Sequence, residues 1–215
     1  MYREVGCWRL LYVNMEIRTE TGRLVDIASV EVQEQRLAAQ YIRSGDTVLE
    51  LGARYGSVSC TINAILALKD HQVSVEPDDR VWDALELNRE RNGCGFHIVK
   101  GVVSSKRWSL TNLDDADGYG TTAVLQADSR IPSFDVQEIQ DAYGLTFDVL
   151  VADCEGFLES FYNENPRLFD QLRLVIFEAD YDWKCDYGRI REALRARGLC
   201  EIEHGFYNVW EKPTQ

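Results

Sequence analysis

The chain has 215 residues, 45% hydrophobic and 27% charged, which is ordinary for a soluble globular protein with one sizeable core. A formal net charge of −13 and a pI near 4.7 argue against nucleic acid and anionic membrane surfaces as partners, since both require a basic footprint. No apolar run reaches the length of a membrane span, and the first residues lack the apolar core of a signal peptide. Six scattered cysteines, Cys7, Cys60, Cys94, Cys154, Cys185 and Cys200, form no Cys-x-x-Cys pair. Zinc and redox motifs are therefore not expected, and the natural setting is a reducing, cytoplasmic one.

Residues 1–28 alternate loosely, with Trp8, Leu10, Tyr12, Met15 and Ile17 flanking polar positions and a turn at Thr21-Gly22. They predict a short hairpin. Glu34 to Arg43 reads as a helix with Leu37, Ala38, Tyr41 and Ile42 on one face. The rest of the chain is organised around the stretch from Thr47 to Cys60. Val48, Leu49 and Leu51 make a buried strand, Gly52 and Gly56 frame a turn, and Ser57 is placed to cap a helix running through Ile62, Ile65 and Leu68. Ligands bind outside the carboxyl ends of strands in such sheets. The pattern is Glu-x-Gly-x-x-x-Gly, with Glu50 placed in the turn, and not the Gly-x-Gly-x-x-Gly of dinucleotide sites. An acid there suits a cationic amine.

Val73 and Val75 form a second strand ending at Glu76-Pro77, about 24 residues past Gly52. An acid at that position is expected to hold ribose hydroxyls. Val81, Trp82, Leu85 and Asn88 recur at helical spacing up to Asn92-Gly93, and Phe96 to Val103 predicts a third strand. Ser104 to Gln126 breaks the pattern with five Asp and Gly residues at 114, 115, 117, 118 and 120. It reads as a loop or loose hairpin, either an acceptor-site loop or solvated surface. Ser133 to Tyr143 predicts a short helix, and Phe147 to Asp153 a fourth core strand. Phe157 to Leu172 predicts a helix interrupted near Pro166, and Leu174 to Glu178 a fifth strand. A helix through Ile190 and Leu194 and a hairpin about Gly205 close the chain. The alternation predicts an α/β fold, Rossmann-like, with a mainly parallel seven-stranded sheet, helices on both faces and a C-terminal antiparallel hairpin. One domain over 1–215 is expected, with a hairpin and helix extension at about 1–43.

Several motifs agree in order and spacing with a known family. Gly45-Asp-Thr-Val-Leu-Glu-Leu-Gly-Ala-Arg-Tyr-Gly56, Glu76-Pro77, Asn88 with Asn92, Asp153-Cys-Glu-Gly156 and Glu178 together resemble the FkbM-type S-adenosylmethionine-dependent methyltransferases. The resemblance spans roughly residues 30–212. Arg54 stands where that family usually has asparagine, Val151 where it often has lysine, and Phe157-Leu158 where an acid commonly follows the glycine.

The resemblance implies transfer of a methyl group from S-adenosylmethionine to a hydroxyl of a sugar or other small molecule. The expected cofactor site is Glu50, Gly52, Ala53, Tyr55, Gly56, Ser57, Glu76, Pro77, Val102, Val103 and Asp153. The expected catalytic set is Asp153, Glu155, Glu178 and Asp180. Asp153 or Asp180 would assist deprotonation while Glu155 and Glu178 shape the acceptor site, with no metal ion. The rival readings are a nicotinamide-dependent oxidoreductase and a binding module without catalysis.

Overall fold

The computed structural model describes residues 15–113 and 119–213. In chain order its elements are α1 (Val32–Tyr41), β1 (Val48–Leu51), α2 (Ser57–Ile65), β2 (Gln72–Glu76), α3 (Trp82–Arg91), β3 (His97–Lys100) and β4 (Val102–Val103). Then come β5 (Trp108–Thr111), β6 (Thr122–Leu125), β7 (Ser133–Phe134), α4 (Val136–Tyr143), β8 (Val149–Ala152), α5 (Leu158–Glu164) and α6 (Leu168–Gln171). The last are β9 (Leu174–Glu178), α7 (Tyr187–Ala196), β10 (Cys200–Glu203) and β11 (Tyr207–Glu211).

Seven strands form one sheet in the order β10-β11-β9-β8-β1-β2-β3. Only β11 runs against the rest, pairing antiparallel with β9 and β10. The fold is therefore α/β and Rossmann-like, as the strand and helix alternation predicts. Chain order reverses between β1 and β8, which are parallel neighbours. That reversal opens a crevice at their carboxyl ends, the usual ligand position in such sheets.

Period-2 alternation sorts the core. Leu49, Leu51, Leu150, Ala152, Val175 and Phe177 face α4 to α7. Val48, Val149, Val151, Leu174 and Ile176 face α1 and α2, where Leu37, Ala38, Val58 and Ile62 meet them. Both faces being covered, the central strands are buried at every position.

The boundaries differ from expectation for identifiable reasons. Gly101, at φ 156, breaks the anticipated third strand. Beyond it the chain leaves β2, and Val102 and Val103 pair instead with Ser133 and Phe134. Helix α2 ends at Ile65, three residues before Leu68. Helix α4 begins at Val136, not Ser133, because Asp135 and Glu138 form a reciprocal capping box there. Within 104–126, β5 pairs antiparallel with β6, while Asp114, Asp115, Asp117 and Gly118 of the expected loop lie outside the described residues.

The first fourteen residues, and with them part of the expected N-terminal hairpin, lie outside the described residues. From Met15 on, the chain turns back at an Arg18–Leu24 bridge and docks on α3. Asn88 accepts from the Arg18 N–H at 3.0 Å and donates to the Arg18 and Tyr55 carbonyls at 2.8 and 2.9 Å. Asn92 exchanges a matching pair with Glu16, both 3.0 Å. The two side-chain amides replace a neighbouring strand for the backbone of 16–18.

Candidate functional site

The turn after β1 is fixed by contact with the loop after β8. Gly52 has φ 90, and a Cβ there would lie 1.7 Å from the carbonyl oxygen of Asp153. No side chain fits, so the two strand ends touch through bare backbone. Gly56, at φ 88, closes the turn as expected, its N–H donating to the Ala53 carbonyl at 2.7 Å. A Cβ there would meet Leu85 Cδ1 at 2.8 Å, so this glycine lets α2 approach α3.

The other turn residues depart from expectation. Ala53 and Tyr55 are buried in the cluster beneath α3, and the Tyr55 hydroxyl donates to Glu20. Ser57 does not cap α2. The N-cap is Gly56, without a side-chain bond, and Ser57 is the first helical residue. Its hydroxyl donates to the Glu31 carboxylate. Glu50 lies within β1, not in the turn, and is 1% exposed. Its Oε2 accepts from Ser59 at 2.6 Å and Ser74 at 2.5 Å, while Oε1 has no partner.

Outside these strand ends lies an open cleft. Leu51, Gly52, Val75, Glu76, Pro77, Val102 and Val103 line it, with Asp153, Cys154, Glu155 and Phe157 on the β8 side. The β5–β6 hairpin covers it with Leu110, Thr121 and Ala123, joined by Tyr119. The segment expected as an acceptor loop or plain surface thus forms a wall of the cleft.

Glu76 is only 4% exposed. Its Oε2 accepts from the Arg54 N–H at 2.6 Å and its Oε1 from the Asp78 N–H at 2.8 Å. Each oxygen keeps a further lone pair for a ligand hydroxyl. Arg54 itself, at φ 46, pairs with Asp78 at 3.0 Å and lies over the rings of Tyr55 and Tyr119.

Below the cleft's β8 side the carboxylates gather. A smaller cavity beside Gly52 is lined by Glu34, Glu50, Asp153, Glu178 and Tyr207. Two overlapping triads bring one oxygen from each member within 4.8 Å of the others: Glu34, Asp153 and Glu178, and Asp153, Glu155 and Asp180. Glu155 and Gly156 take successive left-handed conformations, φ 53 and 79. This folds the loop back so that the Gly156 N–H donates to Asp180 Oδ1 at 3.1 Å. Tyr187 donates to the same oxygen at 2.8 Å. Asp180 is 8% exposed and its Oδ2 has no partner; the same holds for buried Asp153 Oδ1 and Glu34 Oε2.

Burial raises the acids, because the charged form is the more costly to desolvate. Glu50 and Glu76 are each pushed up to about 7 by burial, against the hydrogen bonds they accept. Burial and then the neighbouring acids Glu34 and Asp180 raise Asp153 to about 8. Glu178 and Glu155 are raised further, again by burial first. Glu31 is held well above the carboxylate range by burial and by Asp153.

Of the residues expected from the sequence, Gly52, Glu76, Pro77, Val102, Val103, Asp153 and Glu155 line the cleft. Glu50 and Glu178 line the adjoining cavity. Asp180 lies behind the loop and joins through its triad. Ala53, Tyr55, Gly56 and Ser57 serve packing. Four charged residues were not anticipated as site residues: Glu31, Arg54 and Asp78, which line the cleft, and Glu34 in the smaller cavity. Glu31 and Glu34 belong to the start of α1, where an acid reads as solvated helix surface, and no local pattern marks them as inward.

No family model matches the chain, and no curated protein matches it by sequence. Solved structures do match in fold. An O-methyltransferase from Bacillus cereus in complex with SAH superimposes with a TM-score of 0.53 at 14% identity, covering 84% of this chain and 79% of its own. Aeropyrum pernix fibrillarin with natively bound S-adenosyl-L-methionine gives 0.51 at 14% identity, covering 93% and 82%. A Streptococcus agalactiae protein of the NADB-Rossmann superfamily gives 0.52 at 9% identity, covering 85% and 69%. At these identities the likeness is one of fold. Among the described residues, no helix is long and apolar enough to cross a membrane.

Proposed function

We propose that the protein is an S-adenosylmethionine-dependent methyltransferase acting on a hydroxyl of a small molecule, sugars included. The observation that carries this reading is the carboxylate of Glu31 at the N-terminus of α2, bonded to Ser57 and lining the cleft. A dinucleotide cofactor rests its pyrophosphate on that helix end, and here the Glu31 side chain already lies against its first residue, Ser57. A cofactor without phosphate and with cationic groups meets no such barrier. Two of the solved structures similar in fold hold this cofactor or its SAH product.

The residues present fit that cofactor. The Gly52 turn admits a ligand against bare backbone. Glu76 keeps lone pairs for two ribose hydroxyls, and Leu51, Val75, Val102 and Val103 supply an apolar wall for an adenine ring. The unpartnered oxygens of Glu50 and Glu34 beside Gly52 offer acceptors to an amino group.

When bound, S-adenosylmethionine supplies an electrophilic methyl carbon, whose bond to sulfur breaks with the electron pair going to sulfur as the acceptor oxygen forms the new C–O bond. The chain's part is position and the proton. Phe157, Tyr119 and the β5–β6 wall narrow the cleft around the acceptor. Asp153 or Asp180, at the ends of β8 and β9, accepts the hydroxyl proton, while Glu155 and Glu178 shape the acceptor site. The strongly acidic surface favours a neutral or cationic small acceptor over nucleic acid.

The test is incubation with methyl-labelled S-adenosylmethionine and a panel of sugars, phenols and hydroxy acids, followed by mass spectrometry. Appearance of an O-methylated product with SAH supports the reading. Tight cofactor binding with no transfer to any panel member favours a binding module instead.

A further inference from the structure

We infer that the triad Asp153, Glu155 and Asp180 holds a divalent metal ion at the floor of the cleft. The inference rests on the methyltransferase reading for the ion's use, but not for its binding. It replaces the metal-free arrangement expected from the sequence.

Three observations carry it. First, the triad offers three carboxylate oxygens within 4.8 Å of one another. Two oxygens on opposite sides of one calcium ion stand about 4.6–5.2 Å apart, twice the bond length, and adjacent ligands stand closer. Second, Asp180 is 8% exposed, and its Oδ2 is without any hydrogen-bond partner. Its other oxygen is already fixed by the Gly156 N–H and the Tyr187 hydroxyl. This clamp holds the carboxylate still and leaves Oδ2 free to ligate, as hydrogen-bond partners behind a metal ligand do. Asp153 Oδ1 is likewise buried and unpartnered.

Third, the charges that act most strongly on Asp153 are those of Glu34, Asp180, Glu76 and Glu50, all acids. Lys184, which acts on Asp180 and Glu155, donates instead to the Ala123 carbonyl at 3.0 Å. Several carboxylates in so little space stay charged only beside a counter-charge, and without one burial and mutual repulsion keep protons on them. The amino group of the proposed cofactor meets the neighbouring cavity at Glu34 and Glu50. The Asp153–Glu155–Asp180 side is left for a second cation. Three hard oxygen donors select magnesium, calcium or manganese over zinc or copper.

Asp153 and Glu155 line the cleft, so an ion between them is open to the acceptor. There it binds the acceptor oxygen and lowers the hydroxyl pKa. The released proton leaves to solvent through the open mouth of the cleft.

The probe is manganese(II), titrated into the purified protein and followed by electron paramagnetic resonance, with SAH binding measured separately by calorimetry. The expected result is one ion per chain, competed by magnesium or calcium. In both Glu155→Gln and Asp180→Asn its affinity should fall at least about tenfold. Asp141→Asn, on the exposed side of α4 and outside both triads, should leave it within about twofold. Circular dichroism checks that the variants fold, and the two triad variants guard against a single failure. No binding up to millimolar ion, or binding unchanged in both triad variants, overturns the site and leaves a shared proton between Glu155 and Asp180 as the explanation. Ion binding without SAH binding supports the metal site and defeats the cofactor reading. SAH binding without ion binding does the reverse.

Discussion

The carbonyl oxygen of Asp153 occupies the space a Gly52 side chain would need, 1.7 Å from the position of its Cβ. This contact ties the end of β1 to the end of β8 at the point where strand order reverses. Gly52→Ala must push the two loops apart, in a backbone conformation (φ 90) that alanine rarely adopts. The expected outcome is loss of SAH binding together with a lower melting temperature. Calorimetry and thermal unfolding on the same preparation check it. Unchanged affinity would show that the turn does not shape the site.

Glu76 and Tyr55 separate a ligand-facing residue from a packing one. Glu76→Ala removes the acceptor assigned to the ribose and should weaken SAH binding by about 1–3 kcal/mol, about 5- to 150-fold. Tyr55→Phe loses a hydroxyl directed at Glu20. It should cost about 1 kcal/mol of stability and leave SAH affinity within about twofold. The reverse pattern in a titration of both variants would redraw the site.

Buried Glu50 gives a pH signature. Its carboxyl is raised from 4.5 to about 7 in the folded protein by burial. Between those values the folded state holds a proton that the unfolded state has released, so stability falls as pH rises through the window. The loss is complete above about pH 7–8 and amounts to about 3 kcal/mol from this group. Glu50→Gln should flatten the fall by that amount in the cofactor-free protein, since the glutamine carbonyl still accepts from Ser59 and Ser74. Urea unfolding at pH 5 and pH 8 measures it. An identical pH dependence in the variant would place the titration elsewhere.

Asn88 is completely buried and its amide makes bonds to Arg18 N–H, Arg18 O and Tyr55 O. Asn88→Ala strands those backbone groups and should cost about 2–4 kcal/mol. The segment 15–30 should also become more sensitive to limited proteolysis. A variant as stable and as resistant as the parent would contradict the clamp.

The sheet was legible because Val48 to Leu51, Val73 to Val75 and Leu174 to Phe177 carry the apolar runs that a doubly covered parallel sheet requires. Glu76 was legible as a strand-terminal acid at the expected distance from Gly52. The roles within the turn were not. Tyr55, Gly56 and Ser57 sit in the same motif as Gly52, yet they face α3 and Glu31, because a turn entering a helix points successive residues in different directions. Nor could the sequence show that Glu31, Glu34 and Asp153 converge, since 119 residues separate the last two (153 − 34) and only the sheet order brings their elements together. The cleft wall of Leu110, Tyr119, Thr121 and Ala123 was masked by acidic and glycine-rich composition that reads as open loop.

The most direct test of the proposed cofactor site is calorimetric titration of the wild-type protein with SAH and, separately, with NAD. The predicted result is one SAH per chain, weakened about 5- to 150-fold in Glu76→Ala, and no detectable heat from NAD. Saturable NAD binding with none for SAH would contradict it.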